Sequence, residues 1–208
     1  MDDTAEDIRV TRVETLSDDW YVLRKTTFER RRRDGRWQSV SRETYDRGNG
    51  ATVLLVDRRR RTVVLTRQFR FPTWVNGNAD GRLIETAAGL LDGADPAARI
   101  RAEAEEETGY RLRSVEPVFD AFTSPGSVTE RLHCFVAEYD ARDRVSGGGG
   151  DAEEGEDIEV LELPFDEAFA MIGDGRIRDA KTIMLLQHAA LSIFAPAATS
   201  TPWIGGEP

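Results

Sequence analysis

The stretch from Asp95 to Gly109 limits the possible folds more than any other. Asp95 is a favourable N-cap, and Pro96 suits the first helical position, where its missing N–H costs nothing. Gly109 suits the left-handed residue that closes a helix. The residues between them therefore form one well-delimited helix. On both sides the sequence reads as strands. Ala51 to Val56 and Thr62 to Arg67 form a hairpin through Asp57-Arg58-Arg59-Arg60-Arg61. Phe71 to Gly81, with Pro72 and Gly77, is a loop. Leu83 to Ala88 resumes as a strand, and Gly89 to Gly93 is a loop leading into the helix. Strands follow at about 115 to 122, at 131 to 139 and from Ile158 to Leu163. Asp166 is expected to cap a short helix, and Ala180 to Phe194 forms a longer amphipathic one. Strands, one helix, more strands and two helices make an α/β (α+β) fold, a mixed sheet between helices. No Gly-x-Gly-x-x-Gly or P-loop is present.

Residues 12 to 47 alternate in short runs around Trp20-Tyr21-Val22-Leu23, Thr26-Thr27-Phe28 and Trp37-Gln38-Ser39-Val40, with a hairpin signal at Asp34-Gly35. They read as a small antiparallel β unit ending at Gly48-Asn49-Gly50. The chain thus divides into an N-terminal unit at 1–48, a main domain at 49–194 and a Pro/Thr/Gly-rich tail at 195–208. The basic run Arg30 to Arg33 reads as a solvated strand end.

Lys and Arg number 28 against 38 Asp and Glu, a net charge of -10. That balance argues against nucleic acid or an anionic membrane as partner, since either wants a basic face. It leaves phosphate-bearing small molecules open, because divalent cations bridge carboxylates to phosphates. The lone cysteine, Cys134, precludes an internal disulfide and fits a reducing cytoplasm. No apolar run is long enough to span a bilayer, and Met1-Asp2-Asp3 does not resemble a signal peptide.

The helix carries Ala102-Glu103-Ala104-Glu105-Glu106-Glu107-Thr108. Glu103 and Glu107, one turn apart, stand on the same side with Glu106 flanking them, while Glu105 points the other way. Glutamate-rich helix faces are usually just solvated. Here Glu103 and Glu107 border the apolar stripe of Ala97, Ile100 and Ala104, and a glycine-bearing loop precedes the helix. Crowded like charges call for a compensating cation, and hard Mg²⁺ or Mn²⁺ prefers oxygen ligands. Other segments stay ambiguous on their own. Asp151 to Glu156, after Gly147 to Gly150, reads most simply as a mobile acidic linker. For Trp20 the alternative to a binding role is core of the β unit, and His133, Cys134 and His188 read as packing residues.

Gly89, Asp95, Glu103, Glu106, Glu107, Gly109 and Tyr110 resemble the signature box of the Nudix hydrolases. The Asp95–Glu103 interval is one residue short, and Ala102 replaces an arginine for which Arg99 or Arg101 could substitute. Glu43 to Ala51, Arg67 to Arg70, Thr73 to Asn78, Ser124-Pro125-Gly126, Glu156 to Phe165 and Ile177 to Thr182 resemble the branch of that superfamily that hydrolyses GDP-mannose. The likeness covers roughly residues 13 to 190, and the short box is a trait of that branch.

The resemblance implies a Nudix α/β/α sandwich and hydrolysis of a nucleotide-sugar diphosphate, with GDP-mannose giving GMP and mannose 1-phosphate. It also implies Mg²⁺, with Mn²⁺ as substitute, and a homodimer. The Ala88 carbonyl, Glu103, Glu107 and Glu156 would hold metal, Glu106 would support them, and Glu156 would act as general base. Arg70 and Lys181 would bind phosphate, and Ala88, Gly89 and Leu90 would pass along the substrate. Glu130 would hold a sugar hydroxyl or a metal-bound water, and Trp20 would stack on the base. Ser41, Arg42 and Glu43 would reach substrate from the partner subunit. The competing activities are ADP-ribose hydrolysis and a catalytically idle Nudix-fold binding module.

Overall fold

Two sheets meet at Gly48, which adopts a left-handed backbone (φ 83°) between them. The computed structural model describes residues 7–195, the Glu154 side chain excepted; the expected tail beyond Ala195 lies outside them. The first sheet is β1 (Ile8–Asp18), β2 (Val22–Arg31) and β3 (Trp37–Asp46), all antiparallel. The expected Asp34-Gly35 turn joins β2 to β3, with Gly35 at φ 81°. β1 starts upstream of the expected limit, because its apolar Ile8, Val10 and Val13 are exposed and give no burial pattern to read.

The second sheet holds β4 (Gly50–Asp57), β5 (Thr62–Phe69), β6 (Arg82–Glu85), β7 (Ala87–Leu90), β8 (Glu116–Ala121), β9 (Leu132–Glu138) and β10 (Glu159–Pro164). Its order is β10-β5-β4-β9-β8, with β6 added to β5 and β7 to β4. β4 and β9 are parallel and the other pairs antiparallel, so the sheet is mixed as expected. Alternation along the buried strands feeds two cores. Leu54, Val56, Val63 and Leu65 pack on α3 (Phe165–Gly173) and α4 (Ala180–His188). Ala51, Val53, Leu55 and Val64 pack under Ile100 and Ala104 of α2 (Pro96–Thr108). The result is an α/β/α sandwich.

Several boundaries differ from the sequence reading, each for a local reason. The expected loop after Phe71 contains a short helix, α1 (Phe71–Val75), which Pro72 can enter because it lies in the first turn. The single strand expected over Leu83 to Ala88 is two. At Thr86 the backbone N–H donates to the Thr182 hydroxyl (2.7 Å) rather than to a ladder partner, and the chain passes from β5 to β4. Gly89 and Leu90, read as loop, consequently belong to β7. Asp166 is not an N-cap. The helix starts at Phe165 after Pro164, and Asp166 lies in its first turn, paired with Arg61 at 2.9 Å. The last helix ends as a π-turn over Ala189–Ile193. His133 is not a core residue, since its Nδ1 meets Asp120 at 2.8 Å, whereas Cys134 beside it is buried.

Candidate active site

The capping expected of α2 is present. Asp95 accepts a hydrogen bond from the Ala98 N–H (2.9 Å), and Gly109 ends the helix at φ 78°. Glu103 and Glu107 are more deeply placed than a border position suggests, at 8% and 1% exposure. Glu103 lies against β7 so closely that a Cβ on Gly89 would overlap its carboxylate, which is why glycine occupies that position. Glu107 accepts from the Ala88 N–H (3.3 Å). Burial pushes the Glu107 carboxyl up to about 8, with the negative charges of Glu103 and Glu156 adding to it. Arg70 and the Ala88 N–H pull the other way. Glu105 points away, paired with Arg111 at 2.7 Å, and Glu106 is exposed.

The arginine that Ala102 lacks has a replacement. Arg99, one turn before Glu103, pairs with it at 2.5 Å and donates through Nε to the Leu90 carbonyl (3.0 Å). Arg101 instead donates to the Ala97 carbonyl.

The four-glycine run is not a free linker. The Gly149 and Gly150 N–H groups donate to the Glu107 and Glu106 carbonyls (3.0 and 3.3 Å), which the helix end leaves without partners of its own. Gly148, Gly149 and Gly150 all have positive φ, and a Cβ at Gly148 would press on the Glu107 backbone. Glycine is thus needed for both conformation and approach. Glu156 follows, its carboxylate accepting from the Asp151 N–H (3.0 Å). The helix bearing Glu107 and the loop bearing Glu156 are therefore fastened together. Glu153 is exposed and bound only locally, its N–H donating to Asp151.

Arg70, the residue after β5, and Lys181 of α4 converge on Glu85, at the end of β6. Arg70 Nε donates to one Glu85 oxygen (2.8 Å), and Lys181 Nζ to the other (2.7 Å). Asp179, the cap of α4, also touches Lys181 (3.1 Å). Burial works against the Lys181 ammonium, but Glu85 and Asp179 outweigh it and hold its pKa above the ordinary lysine value. Sequence reasoning missed Glu85. Its signal was a lone acid within Leu83-Ile84-Glu85-Thr86-Ala87, a position where a charge needs a partner.

A cavity of about 570 Å³ opens between the two sheets, lined by Trp20, Arg67, Arg70, Arg82, Glu156 and Glu159 among others. Trp20 is 80% exposed, so the alternative that it fills the core of the β unit does not hold. Glu130 sits beside Gly50 and 3.7 Å from Arg47; Gly50 in turn pairs with Leu90 of β7. Ser41, Arg42 and Glu43 are exposed on β3 and do not line this chain's cavity; Ser41 meets Thr27 at 2.8 Å. His188 packs edge-on to Phe119, as expected of a packing residue.

Among the described residues no three carboxylate, imidazole or thiol side chains stand together as a ready metal cage. Arg99 holds Glu103, and the Asp151 N–H holds Glu156. The donor set nonetheless suits a hard divalent cation. It consists of carboxylate oxygens, two of them on buried glutamates, of which Glu107 has its proton affinity raised by burial and by the charge of Glu103, next to a glycine that leaves room.

A mixed sheet between helices, with paired glutamates buried on one helix that is fastened to the loop carrying Glu156, defines the class of the Nudix sandwich enzymes. Residues 46–186 match the model of the NUDIX domain, and the chain belongs to the Nudix family. Enzymes of this family need divalent metal ions. Residues 7–45 match the model described as the GDP-mannose pyrophosphatase NudK N-terminal domain. The chain is 58% identical over 184 residues to a GDP-mannose pyrophosphatase of Pectobacterium atrosepticum, covering 88% of this chain and 94% of the relative. It is 55% identical to that of Klebsiella pneumoniae (89% and 92% covered) and 56% identical to that of Cronobacter sakazakii (85% and 91% covered).

Proposed function

We propose that this chain is a nucleotide-sugar pyrophosphatase that hydrolyses GDP-mannose to GMP and mannose 1-phosphate. The observation that carries the reading is that both segments of the chain, N-terminal sheet and Nudix domain, align with proteins bearing that enzyme name. The site chemistry supports it. A diphosphate repels an incoming water, and a divalent cation held by Glu103, Glu107, Glu156 and the Ala88 carbonyl, with Glu106 supporting, supplies charge neutralisation and a more acidic water. Mg²⁺ is the cation we assign, with Mn²⁺ able to replace it.

The chain's own residues do the rest. Arg70 offers a planar donor fork to the diphosphate, and Lys181 adds an ammonium donor beside it. Glu156, anchored through Asp151, accepts the proton of the attacking water. Ala88, Gly89 and Leu90 border the substrate on β7. Trp20 stacks on the base at the cavity rim, and Glu130 takes a sugar hydroxyl or a bound water.

A homodimer belongs to the same reading. Its support is the exposed apolar side of β1 (Ile8, Val10, Val13) and the placement of Ser41, Arg42 and Glu43, which lie outside their own chain's cavity and are free to serve a partner's. In these terms residues 1–48 form a dimerisation and substrate-contact unit and residues 49–194 the catalytic domain. Among the described residues no helix is long and apolar enough to cross a membrane. A cytoplasmic setting is supported by the free thiol of Cys134.

The test compares kcat/KM for GDP-mannose, GDP-glucose, ADP-ribose and dinucleotides with Mg²⁺. GDP-mannose is expected to lead. A higher value for ADP-ribose would move the assignment to ADP-ribose hydrolysis, and no Mg²⁺-dependent turnover of any of them would leave an idle binding module.

A further inference from the structure

We propose that Glu85 is the positioning residue for both cations of the phosphate clamp, an inference that rests on the pyrophosphatase reading above. Glu85 is 3% exposed, and its two carboxylate oxygens are divided between Arg70 and Lys181. Its backbone is fixed on both sides. Glu85 pairs with Thr66 in the sheet, and the next N–H, that of Thr86, is taken by Thr182 of α4. This carboxylate is therefore a rigid post where the end of β6, the start of α4 and the end of β5 meet.

Its bond to Arg70 uses Nε, which sets the guanidinium plane and leaves both terminal nitrogens for the cavity that Arg70 lines. Its bond to Lys181 gives a buried ammonium the counter-charge it needs, shared with Asp179. Two cations against Glu85 and Asp179 sum to no net charge. Orientation of the donors, not excess positive charge, is then what this corner offers a diphosphate.

The experiment uses the full chain and a double-mutant cycle of Glu85→Gln and Arg70→Gln, with Glu85→Asp alongside, assayed on GDP-mannose. Glu85→Gln is expected to lower kcat/KM by about tenfold or more, the scale of a misplaced binding group. Once Arg70 is glutamine, the same change should cost less than about threefold, because coupled residues are not additive. The Nε–H resonance of Arg70, observed by NMR in the unliganded wild type, should disappear in Glu85→Gln. Equal losses in both backgrounds with an unchanged Arg70 resonance would overturn the proposal. If Glu85→Gln does not melt cooperatively, Glu85→Asp, which is too short to span both cations, must show the same dependence on Arg70 or the proposal fails. A wild type inactive on GDP-mannose would instead count against the function reading, and the Arg70 resonance would still decide the role of Glu85.

Discussion

Replacing Glu107 by glutamine should abolish most activity and yet stabilise the metal-free protein at alkaline pH. Glu107 is 1% exposed, and its carboxyl is pushed up to about 8 from 4.5 by burial first and then by Glu103 and Glu156. A carboxyl raised in the folded state adds no penalty below pH 4.5. Between 4.5 and about 8 the unfolded chain ionises while the folded one keeps its proton, so stability falls as pH rises and levels off above 8. At about 1.4 kcal/mol per pH unit the full loss is about 5 kcal/mol. For a chain of this size that corresponds to a Tm lower by about 10–20 °C. Glutamine keeps the size of the side chain and an oxygen for the Ala88 N–H, but it carries no charge. The assay is thermal melting in EDTA at pH 5.5 and 8.5 for wild type, Glu107→Gln and Glu105→Gln. Wild type and Glu105→Gln should lose stability between the two pH values, while Glu107→Gln should lose much less. An equal fall in all three would show that the penalty does not reside in Glu107.

Three further outcomes follow from the same geometry. Glu156→Gln should reduce kcat at saturating Mg²⁺ by about 10²–10⁴-fold, the usual scale for a general base; Glu153→Gln should change it little, and the reverse pattern would show that the wrong loop glutamate has been assigned. Gly148→Ala should destabilise the protein by about 1–3 kcal/mol in denaturant unfolding, because its positive φ and the Glu107 backbone both oppose a Cβ; an unchanged midpoint would show the loop free to move away. Sedimentation at micromolar concentration should show a dimer, and a monomer alone would remove the partner-subunit role of Ser41, Arg42 and Glu43.

Where the determinants were local, the sequence was readable. Asp95, Pro96 and Gly109 delimit α2 by capping chemistry alone, and the one-turn spacing of Glu103 and Glu107 put both on one side. Strands β4 and β5 were readable because each holds a run of buried apolar residues, Val53 to Val56 and Val63 to Leu65. What was hidden depends on contacts distant in sequence. The break between β6 and β7 depends on the Thr182 hydroxyl, and nothing near Thr86 announces it. The purpose of the glycine run appears only once Gly149 and Gly150 meet the carbonyls of Glu107 and Glu106. Trp20 could be told from a core aromatic only by its exposure. Glu85 left a faint mark, a single acid after the apolar Leu83 and Ile84, but its two cations come from just past β5 and from α4.

The central claim is that the chain breaks the diphosphate of GDP-mannose by attack of water at phosphorus. Hydrolysis in ¹⁸O-labelled water with Mg²⁺, followed by ³¹P NMR and mass analysis of the products, tests it most directly. The expected products are GMP and mannose 1-phosphate, with one of the two carrying a single ¹⁸O on its phosphate. GDP and free mannose labelled at the sugar would contradict it, since that result places the attack at carbon and leaves the phosphate clamp of Arg70 and Lys181 without a reacting centre.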